Sequence, residues 1–179
     1  GALGYYRAAR EEFALWCPED VYIEEPASLV RAYLEAGRLH GAVLLENEPV
    51  IGISVTGGRV AGVETAARSI AAPVVVDAAG GWVRQVAGLA GAWVPVAPVR
   101  HQLLITAPAP EVHFPRPVYA RWGLDYWQQR TDDRVVVGGF RDVGGEAEWT
   151  LDATPTQPVQ DALTNLLRDT LGVRAEITH

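Results

Sequence analysis

Apolar and polar residues fall along this chain in blocks that predict helices alternating with short strands. Between Tyr5 and Trp16, Tyr6, Ala9, Phe13 and Trp16 lie about a turn apart among helix formers. This predicts an amphipathic helix within residues 1–20, broken at Cys17-Pro18. Pro26-Ala27-Ser28 opens a second helix that runs to about Leu39, with Leu29, Tyr33, Ala36 and His40 along one side. A proline suits the first helical turn because its missing N–H would be unsatisfied there anyway. Strands follow. Ala42 to Glu46 is short and apolar, Val50 to Thr56 alternates, and Arg59 to Thr65 alternates about Gly62. Gly57-Gly58 between two such runs predicts a hairpin, and Ser69 to Ala71 can pair with it.

The next stretch organises the chain. Val74-Val75-Val76, flanked by small residues, reads as a strand buried on both faces, as in parallel sheets. Ala78-Ala79-Gly80-Gly81 then makes a turn with almost no side chains, and Trp82 to Leu89 is helix-compatible. A strand, a tight turn and a helix form half of a βαβ unit, in which ligands bind at the carboxyl end of the strand. The alternative is a plain strand-to-helix turn.

Val94 to Thr106 reads as one long strand whose prolines at 95 and 98 bend its first half or place it at an edge. After a proline-rich loop from Ala107 to Pro117, the runs Val118 to Trp122, Tyr126 to Arg130 and Arg134 to Gly138 predict an antiparallel meander. Asp132-Asp133 lies at one of its turns. Val159 to Leu171 closes the pattern as a helix with Leu163, Leu166, Leu167 and Leu171 as its stripe.

Composition narrows the function classes. The chain has 179 residues, 49% of them hydrophobic and 21% charged, as in ordinary globular proteins. A net charge of −7 speaks against a nucleic-acid or anionic-membrane partner. No apolar run reaches the roughly 18–20 residues that span a bilayer. Cys17 is the single cysteine, so no intrachain disulfide forms, and the chain is expected to be cytoplasmic. All 15 basic residues are arginine and methionine is absent. Arginine- and alanine-heavy usage suggests a bacterial source, and the missing start residue suggests a truncated or processed piece of a longer protein.

Several segments carry a family resemblance in the correct order. Asp77-Ala78-Ala79-Gly80-Gly81-Trp82 resembles the N-A-A-G-x-W segment of the FAD-dependent amine oxidoreductases of the D-amino acid oxidase, glycine oxidase and sarcosine oxidase superfamily, with Asp77 in place of Asn. Glu25-Pro26-Ala27-Ser28-Leu29-Val30 is similar to the family's D-P-x-x-L-v helix start, and Asn47-Glu48-Pro49-Val50 to its x-x-x-V segment. Pro98-Val99-Arg100-His101-Gln102 resembles the P-v-R-G/H-Q strand. Tyr126 to Arg130 followed by Val135 to Gly139 looks like the family's meander. The G-x-G-x-x-G turn that grips the FAD pyrophosphate in relatives is not in these 179 residues.

The resemblance implies an α/β (α+β) chain. Residues 21–92 would be part of a Rossmann-like FAD-binding domain, and residues 93–179 a substrate domain with a mixed, largely antiparallel sheet flanked by helices. It implies FAD as cofactor, with Val50, Ala78, Ala79, Gly80 and Trp82 against it. It implies oxidation of a C–N bond in an amine or amino acid by hydride transfer to the flavin. Arg100, His101 and Tyr126 would be catalytic, and Gln102 and Trp127 would line the substrate site. A metal site is not expected, since His40 and His113 have no second ligand at suitable spacing. The other possibility is a non-catalytic fragment or subunit, in which a second chain or further segments supply the glycine-rich domain.

Overall fold

The computed structural model describes residues 17–19, 21–114, 116–120, 125–139 and 149–179. The helix expected from Tyr5 to Trp16 lies outside the described residues. The chain folds as two units. The residues of unit 1 fall within Gly1–Pro26, Arg100–Glu148 and Asp152–His179; those of unit 2 are Ala27–Val99 and Trp149–Leu151. Helices and antiparallel sheets are mixed, as the sequence predicts. Among the described residues no helix is long and apolar enough to cross a membrane.

Unit 2 begins with α1 (Pro26–Leu39) and continues into β1 (Val50–Thr56), β2 (Arg59–Thr65) and β3 (Ser69–Ala71). These strands form a sheet in the order β1-β2-β3, antiparallel throughout. Gly57 and Gly58 turn the hairpin at φ +59° and +75°, the left-handed region that glycine enters without steric cost. Gly62 answers a different demand. A Cβ there would lie 2.3 Å from the Ile70 carbonyl oxygen of β3, so only glycine lets the two strands pair at this point. The turn into β3 is held by Thr65, whose hydroxyl donates to Glu48 at 2.7 Å and accepts the Arg68 N–H at 3.0 Å; Arg68 pairs with Glu48 at 2.8 Å.

Three expected strands differ. Ala42 to Leu45 and Val74 to Val76 carry no regular structure, Glu46 lies in a turn, and none of them pairs with a strand among the described residues; Val74 and Val76 are 73% and 83% exposed. A β-strand exists by virtue of its ladder, and no described segment offers one to these residues. The apolar run that predicts a doubly buried strand is present; the neighbours that would bury it are not among the described residues. From Val94 to His101 the chain is irregular, apart from a single bridge between Val99 and Trp149, because Pro95 and Pro98 cannot donate to a ladder. The regular strand starts only at Gln102.

Unit 1 is built on a four-stranded antiparallel sheet, β4 (Gln102–Pro108), β5 (Val118–Ala120), β6 (Asp125–Gln129) and β7 (Arg134–Gly139), in the order β4-β7-β6-β5. Its two faces follow the period-2 pattern. Leu104, Val137, Trp127 and Val118 align across all four strands on the inner face. That face packs with α3 (Gln157–Asn165) and the π-helical turn Leu166–Thr170 that continues it. The expected leucine stripe is correct: Leu163, Leu166, Leu167 and Leu171 are all buried in this core with Val135, Val159, Val173 and Phe114.

Two devices lock the sheet. Between Ile105 and Pro108 the register of β4 against β7 shifts, and the buried Thr106 hydroxyl accepts the Val135 N–H at 3.0 Å across the irregularity. Along the other side of β4, Ile105 N–H donates to the His179 carbonyl at 2.9 Å and Ala107 N–H to the Glu176 carbonyl at 2.7 Å. Thr178 N–H returns a bond to Ile105 at 2.8 Å.

Candidate functional site

Two regions carry the candidate chemistry, one in each unit. In unit 2 the segment after Val76 turns through Asp77–Trp82. Asp77 Oδ1 accepts the Ala79 N–H at 3.0 Å, a side-chain turn that stands in for backbone pairing. Gly80 adopts φ +56°, and nothing lies within 4 Å of where its Cβ would be. Gly80–Trp82 is a single 3-10 turn that runs into α2 (Val83–Leu89). Ala78 and Gly80 are exposed, Ala79 half-buried, and the Trp82 indole is 57% exposed. Val50 lies at the exposed start of β1, opposite Thr65.

These residues fit a dinucleotide. The turn offers backbone that a bulky ligand can approach closely, beside an indole with much of its surface open. The second Asp77 carboxylate oxygen is buried and has no hydrogen-bond partner among the described residues. A buried acceptor of this kind suits a hydroxyl donor such as a ribose.

In unit 1 the candidate residues divide between the two faces of the sheet. On the outer face Leu103, Gly138, Tyr126 and Tyr119 stand opposite one another across β4, β7, β6 and β5. Tyr119 is exposed and Tyr126 half-buried. Their rings lie 6.0 Å apart at 36°, and the His101 ring meets Tyr126 edge-on at 5.5 Å and 75°. Burial pushes the Tyr126 phenol above its ordinary 10.0, and Tyr119 adds to the shift, so the hydroxyl stays protonated at neutral pH. His101 and Tyr126, two of the three residues that the resemblance implies as catalytic, are thus brought together on this face. Tyr119 joins them without a signal in its own neighbourhood, because only the strand register reveals it.

The remaining candidates point elsewhere. Gln102 is buried on the inner face and holds Thr156 at both ends of its amide. Nε2 donates to the Thr156 hydroxyl at 2.8 Å, and Oε1 accepts the Thr156 N–H at 2.8 Å. Thr156 precedes α3, so Gln102 fixes the helix start rather than facing solvent. Trp127 is 1% exposed within the core. Arg100 donates to the Thr154 carbonyl and lies 3.9 Å from the Asp152 carboxylate. Hydrogen bonds from the Thr154 hydroxyl and N–H, with a smaller contribution from Arg100, hold the Asp152 carboxyl below its usual range. The family resemblance implies that Gln102 and Trp127 line the substrate site; here both side chains lie on the inner face of the sheet. Among the described residues no group of His, Cys, Asp or Glu could hold a metal ion.

A family model described as DAO, FAD dependent oxidoreductase, matches residues 5–179. Mitochondrial dimethylglycine dehydrogenase of Mus musculus is 30% identical over 147 residues, covering 79% of this chain and 17% of that protein. Mitochondrial sarcosine dehydrogenase of Homo sapiens is 38% identical over 97 residues, covering 51% of this chain and 10% of that protein. Among solved structures, L-proline dehydrogenase from P. horikoshii superposes with a TM-score of 0.72 at 25% identity, covering 82% of this chain and 39% of that one. The chain therefore spans about a sixth of the first of these relatives and about two fifths of the solved structure.

Proposed function

The chain belongs to the FAD-dependent oxidoreductase family, and on that premise we propose that it is the central portion of an enzyme oxidising a C–N bond of an amine or amino acid by hydride transfer to flavin. The names of the relatives carry dimethylglycine, sarcosine and L-proline, three amino acids with a substituted nitrogen. We take that class as the substrate. The observation that carries the reading is the outer face of the unit 1 sheet. It keeps two tyrosines and a histidine together at the surface of a unit whose core is already closed.

FAD, when bound, would supply the acceptor for a hydride from the carbon next to nitrogen. The residues of this chain then have limited tasks. Val50, Ala78, Ala79, Gly80 and Trp82 would hold the cofactor. The Tyr126 hydroxyl hydrogen-bonds the substrate, and His101 favours the unprotonated amine, the form that can lose hydride. Arg100, Gln102 and Trp127 support that surface, Arg100 through its bond to Thr154 and Gln102 through Thr156.

The test is flavin bleaching without oxygen in the FAD-loaded protein, with sarcosine, dimethylglycine and L-proline as probes. At least one should bleach the flavin, and Tyr126→Phe should raise the amount needed about tenfold, the equivalent of one hydrogen bond. Retained flavin that none of the probes, nor a wider amine panel, bleaches would overturn the reading. A second reading is a non-catalytic portion that completes a flavin site only with further polypeptide; exposed Val74 and Val76 favour it. It expects a folded circular dichroism spectrum but no flavin retained after desalting.

A further inference from the structure

Gly138 sits at the centre of the outer face, in β7, directly opposite Tyr126 of β6 and Leu103 of β4. A Cβ on Gly138 would lie 2.2 Å from both Cζ and the hydroxyl oxygen of Tyr126 and 2.7 Å from its Cε1. The tyrosine therefore does not stand out from the sheet. Its ring lies across β7, and its hydroxyl covers the place where any other residue would carry a side chain.

The backbone gives no competing reason for a glycine. Gly138 has no left-handed φ, unlike its neighbour Gly139 at φ +136°, so an alanine could adopt the same conformation. A glycine inside a strand weakens it through chain entropy and lost packing. What the glycine provides is room for the ring, the cross-strand arrangement in which an aromatic side chain covers a bare glycine.

We propose that Gly138 is a positioning residue: by leaving its side-chain place empty it lays the Tyr126 phenol across the sheet, so that the hydroxyl meets a substrate from a fixed point between Tyr119 and His101. The ring is held on both flanks. Tyr119 is 6.0 Å away on the β5 side, and the His101 edge is 5.5 Å away at the entry to β4. A phenol so placed has few rotamers left, so little freedom remains to be lost when a ligand binds. The raised phenol pKa accords with a ring shielded by the sheet. The function assigned here rests on reading the outer face as the substrate face, but the placement of the ring does not.

A methyl at position 138 must displace the ring, so Gly138→Ala should act through Tyr126. Phenolate absorbance is followed against pH in the FAD-loaded protein, and Gly138→Ala is compared with Gly138→Ala/Tyr126→Ala to isolate the one tyrosine. Its titration should fall back toward the ordinary 10.0. Gly138→Ala should also raise the sarcosine KM about tenfold with a smaller change in kcat, matching the loss of a single hydrogen bond.

Denaturant unfolding of the single and double variants keeps the test open should Gly138→Ala fold poorly. With Tyr126 present the added methyl should lower the unfolding midpoint; with Tyr126→Ala it should leave the midpoint unchanged or raise it. An unmoved titration together with equal midpoint changes in both backgrounds overturns the role of Gly138. A moved titration and non-additive midpoints with an unchanged KM leave the ring placement standing and overturn the substrate-face reading instead.

Discussion

The two units handle their apolar residues in opposite ways. Unit 1 closes a core on itself: Leu104, Trp127, Val135, Val137, Leu163, Leu167 and Leu171 are almost wholly removed from solvent between the inner sheet face and α3. In unit 2 the buried positions among the described residues are Gly62 and Ala87, and α1 buries none of its residues. Yet unit 2 is not polar. Val30, Tyr33, Ile51, Val74, Val76 and Trp93 are all exposed. The same kind of residue thus stabilises one unit from within and leaves the other with apolar surface to cover. Burial contributes roughly 25 cal/mol per Å² of apolar area, so only unit 1 collects most of that term from the described residues.

The contrast predicts where substitutions are felt. The largest effect is expected in unit 1, at Leu163, which is fully buried against the sheet. Leu163→Ala should cost about 2–5 kcal/mol of unfolding free energy by denaturant titration. An effect below that range would mean that the core is looser than its burial indicates. Next comes Gln102→Ala. It strips Thr156 of both partners on the amide and should cost about 1–3 kcal/mol, with fraying of α3 visible in amide exchange.

A smaller effect is expected at the rim of unit 1, where Glu24 accepts from the Thr131 N–H at 3.1 Å and lies 3.5 Å from Arg130. Tyr22 donates to the Gln129 carbonyl at 3.0 Å beside it. Partial burial works to raise the Glu24 pKa, but the neighbouring Tyr22 hydroxyl, the hydrogen bonds from Thr131 and the Arg130 charge outweigh it, and the net direction is below the ordinary 4.5. A carboxyl lowered on folding contributes stability that is complete above its unfolded pKa and is lost as pH falls through the folded value. Glu24→Gln should therefore flatten the loss of stability below about pH 4.5, as read from unfolding midpoints across an acid series. An unchanged acid slope would dismiss Glu24 as a contributor. The smallest effect belongs to unit 2. Val76→Ala, at an 83% exposed position, should change stability by less than about 0.5 kcal/mol in this chain alone. A larger loss would show that Val76 is covered after all.

Legibility in the sequence followed the range of each interaction. The hairpin at Gly57-Gly58, the meander of β5, β6 and β7 (the first of its expected strands running on to Trp122, outside the described residues) and the leucine stripe of α3 are written in periods of two and three to four residues, and each is readable from the sequence. Val74 to Val76 has an equally clear signature, but a strand is completed by its neighbours, and a run of valines cannot specify that they are there. Gln102 reads as a site residue because Pro98 to Gln102 resembles the family's P-v-R-G/H-Q strand. Its partner Thr156 lies 54 positions away, and alternation along β4 turns it to the other face. The juxtaposition of Tyr119, Tyr126 and Gly138 depends on two registers at once. Neither tyrosine carries a local mark of it, and Gly138 reads as one more small residue in a meander.

The bonds between Glu176–His179 and β4 bear on association. Strands with a bare flank are templates on which another molecule can add its own backbone. On that side of β4 the Ile105 and Ala107 amides already donate to the His179 and Glu176 carbonyls, while the other side is taken by β7. At the opposite border stands β5, whose three described residues offer a recruit no more than a few bonds. Unit 1 thus presents its tyrosines on an open face while its borders give a passing chain little to extend.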